Sequence, residues 1–157
     1  LGDVYKRQTV LSSYFGPGSI VTQGTSPSFV AAVTQSVSLL VTSGKTKLSY
    51  VDDVLESLKT LGPYFVIAPG LALAHAKPSD SVLAPGMALL RLDEPVISGS
   101  ANDPVSLIFS MGSPNASEHV EMLGDFGQLM STDQVMNNLL NASALSVIED
   151  ILFRYAL

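Results

Sequence analysis

Cysteine is absent from this 157-residue chain. That removes disulfides, thiolate metal ligands and cysteine nucleophiles, and it fits a reducing, cytoplasmic setting. Histidine is scarce: His75 and His119 are the two copies, far apart in sequence and outside any H-x-x-x-H spacing. A zinc site would need carboxylate help, so neither a metal nor another cofactor is expected. Charge is sparse too. Asp, Glu, Lys and Arg make up 14% of the chain and leave a net charge of −6. An acidic surface repels a phosphodiester backbone, which argues against a nucleic-acid binder. No apolar run reaches the ~18 residues that span a bilayer. The serine-hydrolase elbow, the phosphate-binding loop and the dinucleotide fingerprint are all missing.

What is present is apolar: 46% of residues are hydrophobic, enough for one folded domain with a single core. Residues 1–8 stand apart. Asp3-Val4-Tyr5-Lys6-Arg7-Gln8 is similar to the translation of a sequencing-adapter sequence, GATGTGTATAAGAGACAG. The segment is set aside as a read-through artefact, as a tag would be, the other reading being a genuine N-terminal segment. Residues 9–157 are expected to form the single domain.

Periodicity divides that domain into three parts. Residues 9–26, with Gly16, Pro17, Gly18 and Gly24, read as an irregular arm with one short strand. Ser26 or Ser28 caps a helix carrying Phe29, Val30, Val33, Val37, Leu40 and Val41, which Gly44 stops. Ser49 starts a second helix with the apolar stripe Val51, Val54, Leu55 and Leu58. Asp52, Asp53 and Glu56 lie early in it, where the helix dipole favours acids, and read as a solvated face. Short β-rich runs follow at Tyr64–Ala68 and Leu71–Leu73. Met87–Leu92 alternates weakly and ends at Asp93-Glu94-Pro95. Val105–Met111 is apolar enough to be buried on both faces. From Ser117 the period is helical again, with Val120, Leu123, Phe126, Leu129 and Met130 on one face. Thr132 or Asp133 caps a further helix, and Ala144–Phe153 forms a last one with Leu145, Ile148, Ile151 and Leu152 inward. The expected fold is an α/β three-layer sandwich: a mixed β-sheet of about five strands flanked by helices on both faces.

Chemistry concentrates on the histidines. His75 follows a predicted strand in Pro69-Gly70-Leu71-Ala72-Leu73-Ala74-His75. An imidazole with an ordinary pKa near 6.5 is available at neutral pH as a nucleophile or base. Lys77, two residues on, could balance an anion. His119 falls in the first turn of a predicted helix, where free N–H groups favour phosphate. Each histidine reads equally as a satisfied structural residue; a shared site requires the fold to bring them together. Asn102-Asp103-Pro104 reads as a turn that shapes the rim of such a cleft. The methionines read as core filler.

Gly62-Pro63-Tyr64-Phe65-Val66-Ile67-Ala68-Pro69-Gly70-Leu71-Ala72, followed by His75, resembles the enzyme IIA components of the sugar phosphotransferase system. The resemblance is to the mannitol/fructose-type class and, within it, the ascorbate-type branch. Ser49-Tyr50-Val51-Asp52, Leu92-Asp93-Glu94-Pro95-Val96, Asn102-Asp103-Pro104-Val105 and His119 follow in the expected order, and the match covers roughly residues 28–155. The resemblance implies that His75 accepts a phosphoryl group from the histidine phosphocarrier protein HPr and passes it to a cysteine of enzyme IIB for sugar uptake. It implies that His119 orients His75 or stabilises the phosphoryl group, that Lys77 is a candidate on the phosphate side, and that contact with the membrane is peripheral, through the IIB/IIC complex. It is compatible with a homodimer. Two departures are Ala74, where relatives commonly have Pro, and Lys77, where they often have Arg; lysine keeps the charge but not the bidentate geometry. The other reading is a regulatory IIA-like module whose phosphorylation is a signal, or a detached domain of a transcription regulator.

Overall fold

A computed structural model describes residues 11–154; the segment 1–8 set aside above lies outside the described residues. Ser28 opens the helix after the first strand as expected: its hydroxyl accepts from the Ala31 amide at 3.1 Å. This helix, α1 (Phe29–Thr42), follows strand β1 (Ile20–Gly24), and α2 (Ser49–Leu61) comes next. Gly62 stops α2 in a left-handed conformation (φ 74°) that L side chains adopt at a cost. Strands β2 (Val66–Ala68), β3 (Leu71–Ala74), β4 (Gly86–Val96) and β5 (Val105–Gly112) precede α3 (Ala116–Ser131), α4 (Val135–Asn141) and α5 (Leu145–Arg154).

The five strands form one mixed sheet in the order β1-β4-β5-β3-β2. β1 runs parallel to β4 and β3 parallel to β5, while the β4–β5 and β2–β3 pairs are antiparallel. Side chains alternate across it with period two. Ala72, Ala74, Ala88, Leu90 and Ile108 face α1 and α2 in one core. Leu71, Leu73, Met87, Leu89, Leu107, Phe109 and Met111 face α3, α4 and α5 in the other. This is the three-layer α/β sandwich with a five-stranded mixed sheet that the patterning predicts. The alanines let α1 approach closely, and a buried pair of hydroxyls exploits the approach: Ser36 donates to the Ile108 carbonyl at 2.7 Å, and Ser110 donates to the Ser36 carbonyl at 2.9 Å.

Several local expectations change. β4 continues through Asp93-Glu94-Pro95 to Val96. Its register against β5 shifts between Arg91 and Val96, so proline's missing N–H falls where the ladder is interrupted. On α3 the buried stripe is Met122, Asp125, Phe126 and Leu129, and Val120 is 70% exposed. Asp125 holds a core position because it accepts from the buried Tyr14 hydroxyl at 3.2 Å, a pairing that hydrophobic spacing does not report. Leu145 is exposed at the start of α5 while Ile148, Ile151 and Leu152 are buried. Thr132 ends α3 and donates back to the Gln128 carbonyl at 2.8 Å, so it does not cap α4; Gln134, at φ 72°, precedes that helix with no side-chain cap.

Candidate functional site

In a sheet with parallel strands, the carboxyl ends of those strands are where side chains can converge on one crevice. β3 and β5 are such a pair, in register from Leu71↔Leu107 to Ala74↔Ser110. His75 is the first residue past the end of β3. Past the end of β5, Ser113 leads to Asn115, whose side chain caps α3 by accepting from the Glu118 amide at 2.9 Å, and the first turn of that helix presents His119. The two imidazoles, 44 positions apart in the chain, come to lie with ring centroids 5.6 Å apart and planes inclined at 53°. Both are half-buried.

Their hydrogen bonds define which nitrogens remain available. His75 Nδ1 lies 2.8 Å from the Leu73 carbonyl. A carbonyl only accepts, so Nδ1 carries the proton and Nε2 keeps its lone pair. Burial lowers the His75 pKa below its ordinary value, the Leu73 bond works against that, and His119 adds to the lowering. The ring is therefore neutral at pH 7, with a nucleophilic Nε2. His119 Nδ1 lies 2.8 Å from the hydroxyl of Ser113, which is buried. Ser113 has no other hydrogen-bond partner among the described residues, and a buried hydroxyl proton without an acceptor costs about 1–3 kcal/mol. The hydroxyl therefore donates to Nδ1, which leaves the His119 ring N–H on Nε2.

Aromatic residues frame His75. Tyr64 meets its ring edge-on at 5.8 Å and donates its hydroxyl to the His75 carbonyl at 3.0 Å; Phe65 lies 6.4 Å away. The buried Tyr50 hydroxyl accepts from the Ala76 amide at 2.9 Å and donates to the Met111 carbonyl at 2.7 Å. Lys77 is exposed and lines an open depression of about 400 Å³ with Asp53, Glu56, Ser57 and Ser79, a lining that includes neither imidazole. The fold thus brings the two imidazoles together, and Lys77, two residues past His75, lines this neighbouring depression. Among the described residues no group of three or more His, Asp or Glu side chains could hold a metal ion.

The Asn102-Asp103-Pro104 turn belongs to the other end of the sheet, before β5 begins, so it shapes no rim around His75. The Asp103 carboxylate accepts from the Ser98 hydroxyl and from the Ser98 and Gly99 amides, at 2.9 and 2.7 Å, and these bonds hold its pKa below the usual carboxylate range. The Asn102 carbonyl accepts from the Gly70 amide at 3.0 Å, fixing the β2–β3 turn where Gly70 takes φ 77°. Sequence reasoning missed Ser113, and it quoted Tyr64 and Tyr50 only as members of resembling stretches, with no role; the hydroxyl of each makes a contact that apolar spacing ignores.

Comparison with known proteins supplies the frame for this geometry. Residues 13–155 match the family model described as the phosphoenolpyruvate-dependent sugar phosphotransferase system, EIIA 2. The ascorbate-specific phosphotransferase EIIA component of Escherichia coli is 35% identical over 105 residues, 66% of this chain and 68% of that protein. The solution structure of the mannitol-specific cryptic phosphotransferase enzyme IIA from Escherichia coli superposes with a TM-score of 0.81 at 26% identity, covering 92% of this chain and 99% of that one. Enzyme IIA for mannitol from Escherichia coli, in a complex with phosphorylated enzyme IIB, shares the fold with a TM-score of 0.77 at 19% identity, covering 90% and 98% of the two chains.

Proposed function

The chain belongs to the EIIA 2 family of the sugar phosphotransferase system, whose members transfer phosphoryl groups, and on that premise we propose that it is a phosphocarrier loaded on His75 Nε2 by HPr and unloaded by a cysteine of enzyme IIB. The observation that carries this reading is the imidazole pair, with the Nδ1 of each ring already engaged.

The transfer balances without moving a proton on His75. The Nε2 lone pair attacks the phosphorus of phosphorylated HPr. A new N–P bond forms as the N–P bond to the HPr imidazole breaks, and that imidazole leaves with the electron pair. Nδ1–H stays on the Leu73 carbonyl throughout, and its bond strengthens as the ring takes on positive charge. The His119 Nε2–H is placed to donate to a phosphoryl oxygen, the positioning and charge stabilisation that phosphoryl transfer chiefly requires. In the second half-reaction the IIB thiolate attacks phosphorus and His75 is restored. Exposed Tyr64 and Val120 supply an apolar rim for transient docking. Lys77, over Asp53 and Glu56, contributes to the charge pattern a partner meets. On this reading the sugar served is ascorbate-like, which the relative so named supports, and the domain, residues 9–157, works in the cytoplasm beside HPr and IIB.

Incubation with phosphoenolpyruvate, enzyme I and HPr tests the proposal. Intact-mass spectrometry is expected to show a gain of one phosphoryl group in the wild type and none in His75→Ala. No gain in the wild type, or an undiminished gain in His75→Ala, rejects it.

A further inference from the structure

Parallel ladders follow a rule that the β3–β5 pair leaves at its carboxyl end. Parallel strands exchange evenly spaced, slanted bonds, so alternate amides of one strand turn toward the other. At its start the Gly70 carbonyl accepts from both the Ser106 and the Leu107 amides, at 3.0 and 3.1 Å, and the register then holds from Leu71↔Leu107 to Ala74↔Ser110. In that register the amides of Ala72 and Ala74 turn toward the Leu107 and Phe109 carbonyls. The next in the series is the Ala76 amide, and it falls opposite the Met111 carbonyl. That bond is not made directly. The Tyr50 hydroxyl occupies it, accepting from Ala76 N at 2.9 Å and donating to Met111 O at 2.7 Å, with the Ala76 carbonyl at 3.3 Å. The phenol ring comes from α2 and is fully buried. Burial pushes its pKa well above the ordinary tyrosine value, so the donated proton stays in place.

The insertion lies where the two chemical limbs diverge. His75 immediately precedes Ala76, and Met111 leads through Gly112 to Ser113, the partner of His119. A direct N–H···O bond spans about 2.9 Å, whereas the two-bond bridge holds the same amide and carbonyl farther apart. The spread falls beside His75, and the Tyr64 bond to the His75 carbonyl secures the same segment from the outside.

We propose that Tyr50 is a positioning residue: its hydroxyl, inserted as the last rung between β3 and β5, parts the strand ends and sets the gap in which His75 and His119 face a phosphoryl group. This rests on the phosphocarrier reading for its kinetic consequence, but not for its geometry.

Tyr50→Phe removes one oxygen and keeps the ring. Single-turnover loading from phosphorylated HPr is expected to slow roughly 10- to 100-fold, the scale of a sub-ångström to 1 Å misplacement, with half-saturation by HPr unchanged because the docking surface is untouched. Ser36→Ala, which deletes another buried hydroxyl bonded to β5, is the control and is expected to load at the wild-type rate. In ¹⁵N spectra the His75 imidazole titration is expected to shift in Tyr50→Phe and to stay put in Ser36→Ala. Equal rates and superimposable His75 titrations in wild type and Tyr50→Phe overturn the proposal, and so does a loss of the same size in Ser36→Ala. In the wild type alone, the shielded Tyr50 hydroxyl proton is expected to show a nuclear Overhauser effect to the Ala76 amide, and its absence overturns the insertion however the variant folds. A wild type that takes no phosphoryl group rejects the phosphocarrier reading, while the spectra still decide the placement of Tyr50.

Discussion

His75 must be uncharged to attack phosphorus, and its surroundings keep it so. The folded pKa lies below the ordinary 6.5 because burial disfavours the cation, with His119 adding to the effect. The sign of the linkage follows. Between the folded value and 6.5 the unfolded chain binds more protons than the native one, so native stability rises with pH across that window. The contribution is intact above 6.5 and is lost as pH falls below it. Urea denaturation at pH about 5.5 and about 7.5 is expected to show a larger drop at the acidic pH for wild type than for His75→Gln; equal drops would place the folded pKa at its ordinary value. The same argument predicts an imidazole titration midpoint below 6.5 in the wild type.

Single elements are joined by polar side chains that a hydropathy pattern passes over. Arg91, on β4, is 12% exposed. Its guanidinium donates to the Leu139 and Leu140 carbonyls at 2.9 and 2.6 Å and to the Thr22 carbonyl at 2.9 Å. It thereby satisfies carbonyls at the end of α4 and ties that seven-residue helix to β1 and β4. Asp93, at 3.5 Å and half exposed, adds little by comparison. Arg91→Ala removes the guanidinium from all three carbonyls, Leu139 keeping only the Ala142 amide at 3.3 Å, and a loss of about 2–3 kcal/mol is expected by urea denaturation. Arg91→Lys is expected to recover only part of it, since an ammonium lacks the planar fork that reaches several carbonyls at once. Recovery to wild-type stability in the lysine variant would mean that charge alone carries the contact.

Across the whole molecule, two cores press on one sheet, and β5 lies in both. Phe109 is fully buried and meets Phe126 of α3 edge-on at 4.9 Å. Phe109→Ala is expected to cost about 3–5 kcal/mol, the range for deleting a buried aromatic ring and leaving a cavity, read as a shifted urea midpoint with unchanged slope. A loss below about 1 kcal/mol would mean that the sheet collapses around the gap. β5 is also the strand whose carboxyl end leads to Ser113 and His119, so its packing places half of the site.

The layer order and the strand content were legible because they rest on local signals: period two or 3.6, a serine before an apolar run, a glycine after one. His75 and His119 were legible as residue types, and the Pro63–His75 motif as a family resemblance. Their convergence was not, because strand order β4-β5-β3 is set by which faces bury best, and no local spacing encodes it. The same holds for Asp125 in the core, the continuation of β4 past Pro95, and the Tyr50 hydroxyl between β3 and β5. Each depends on a partner 26 to 111 positions away or on a ladder already interrupted. Composition and periodicity determine which side chains seek burial; only tertiary contact determines which polar atoms they meet there.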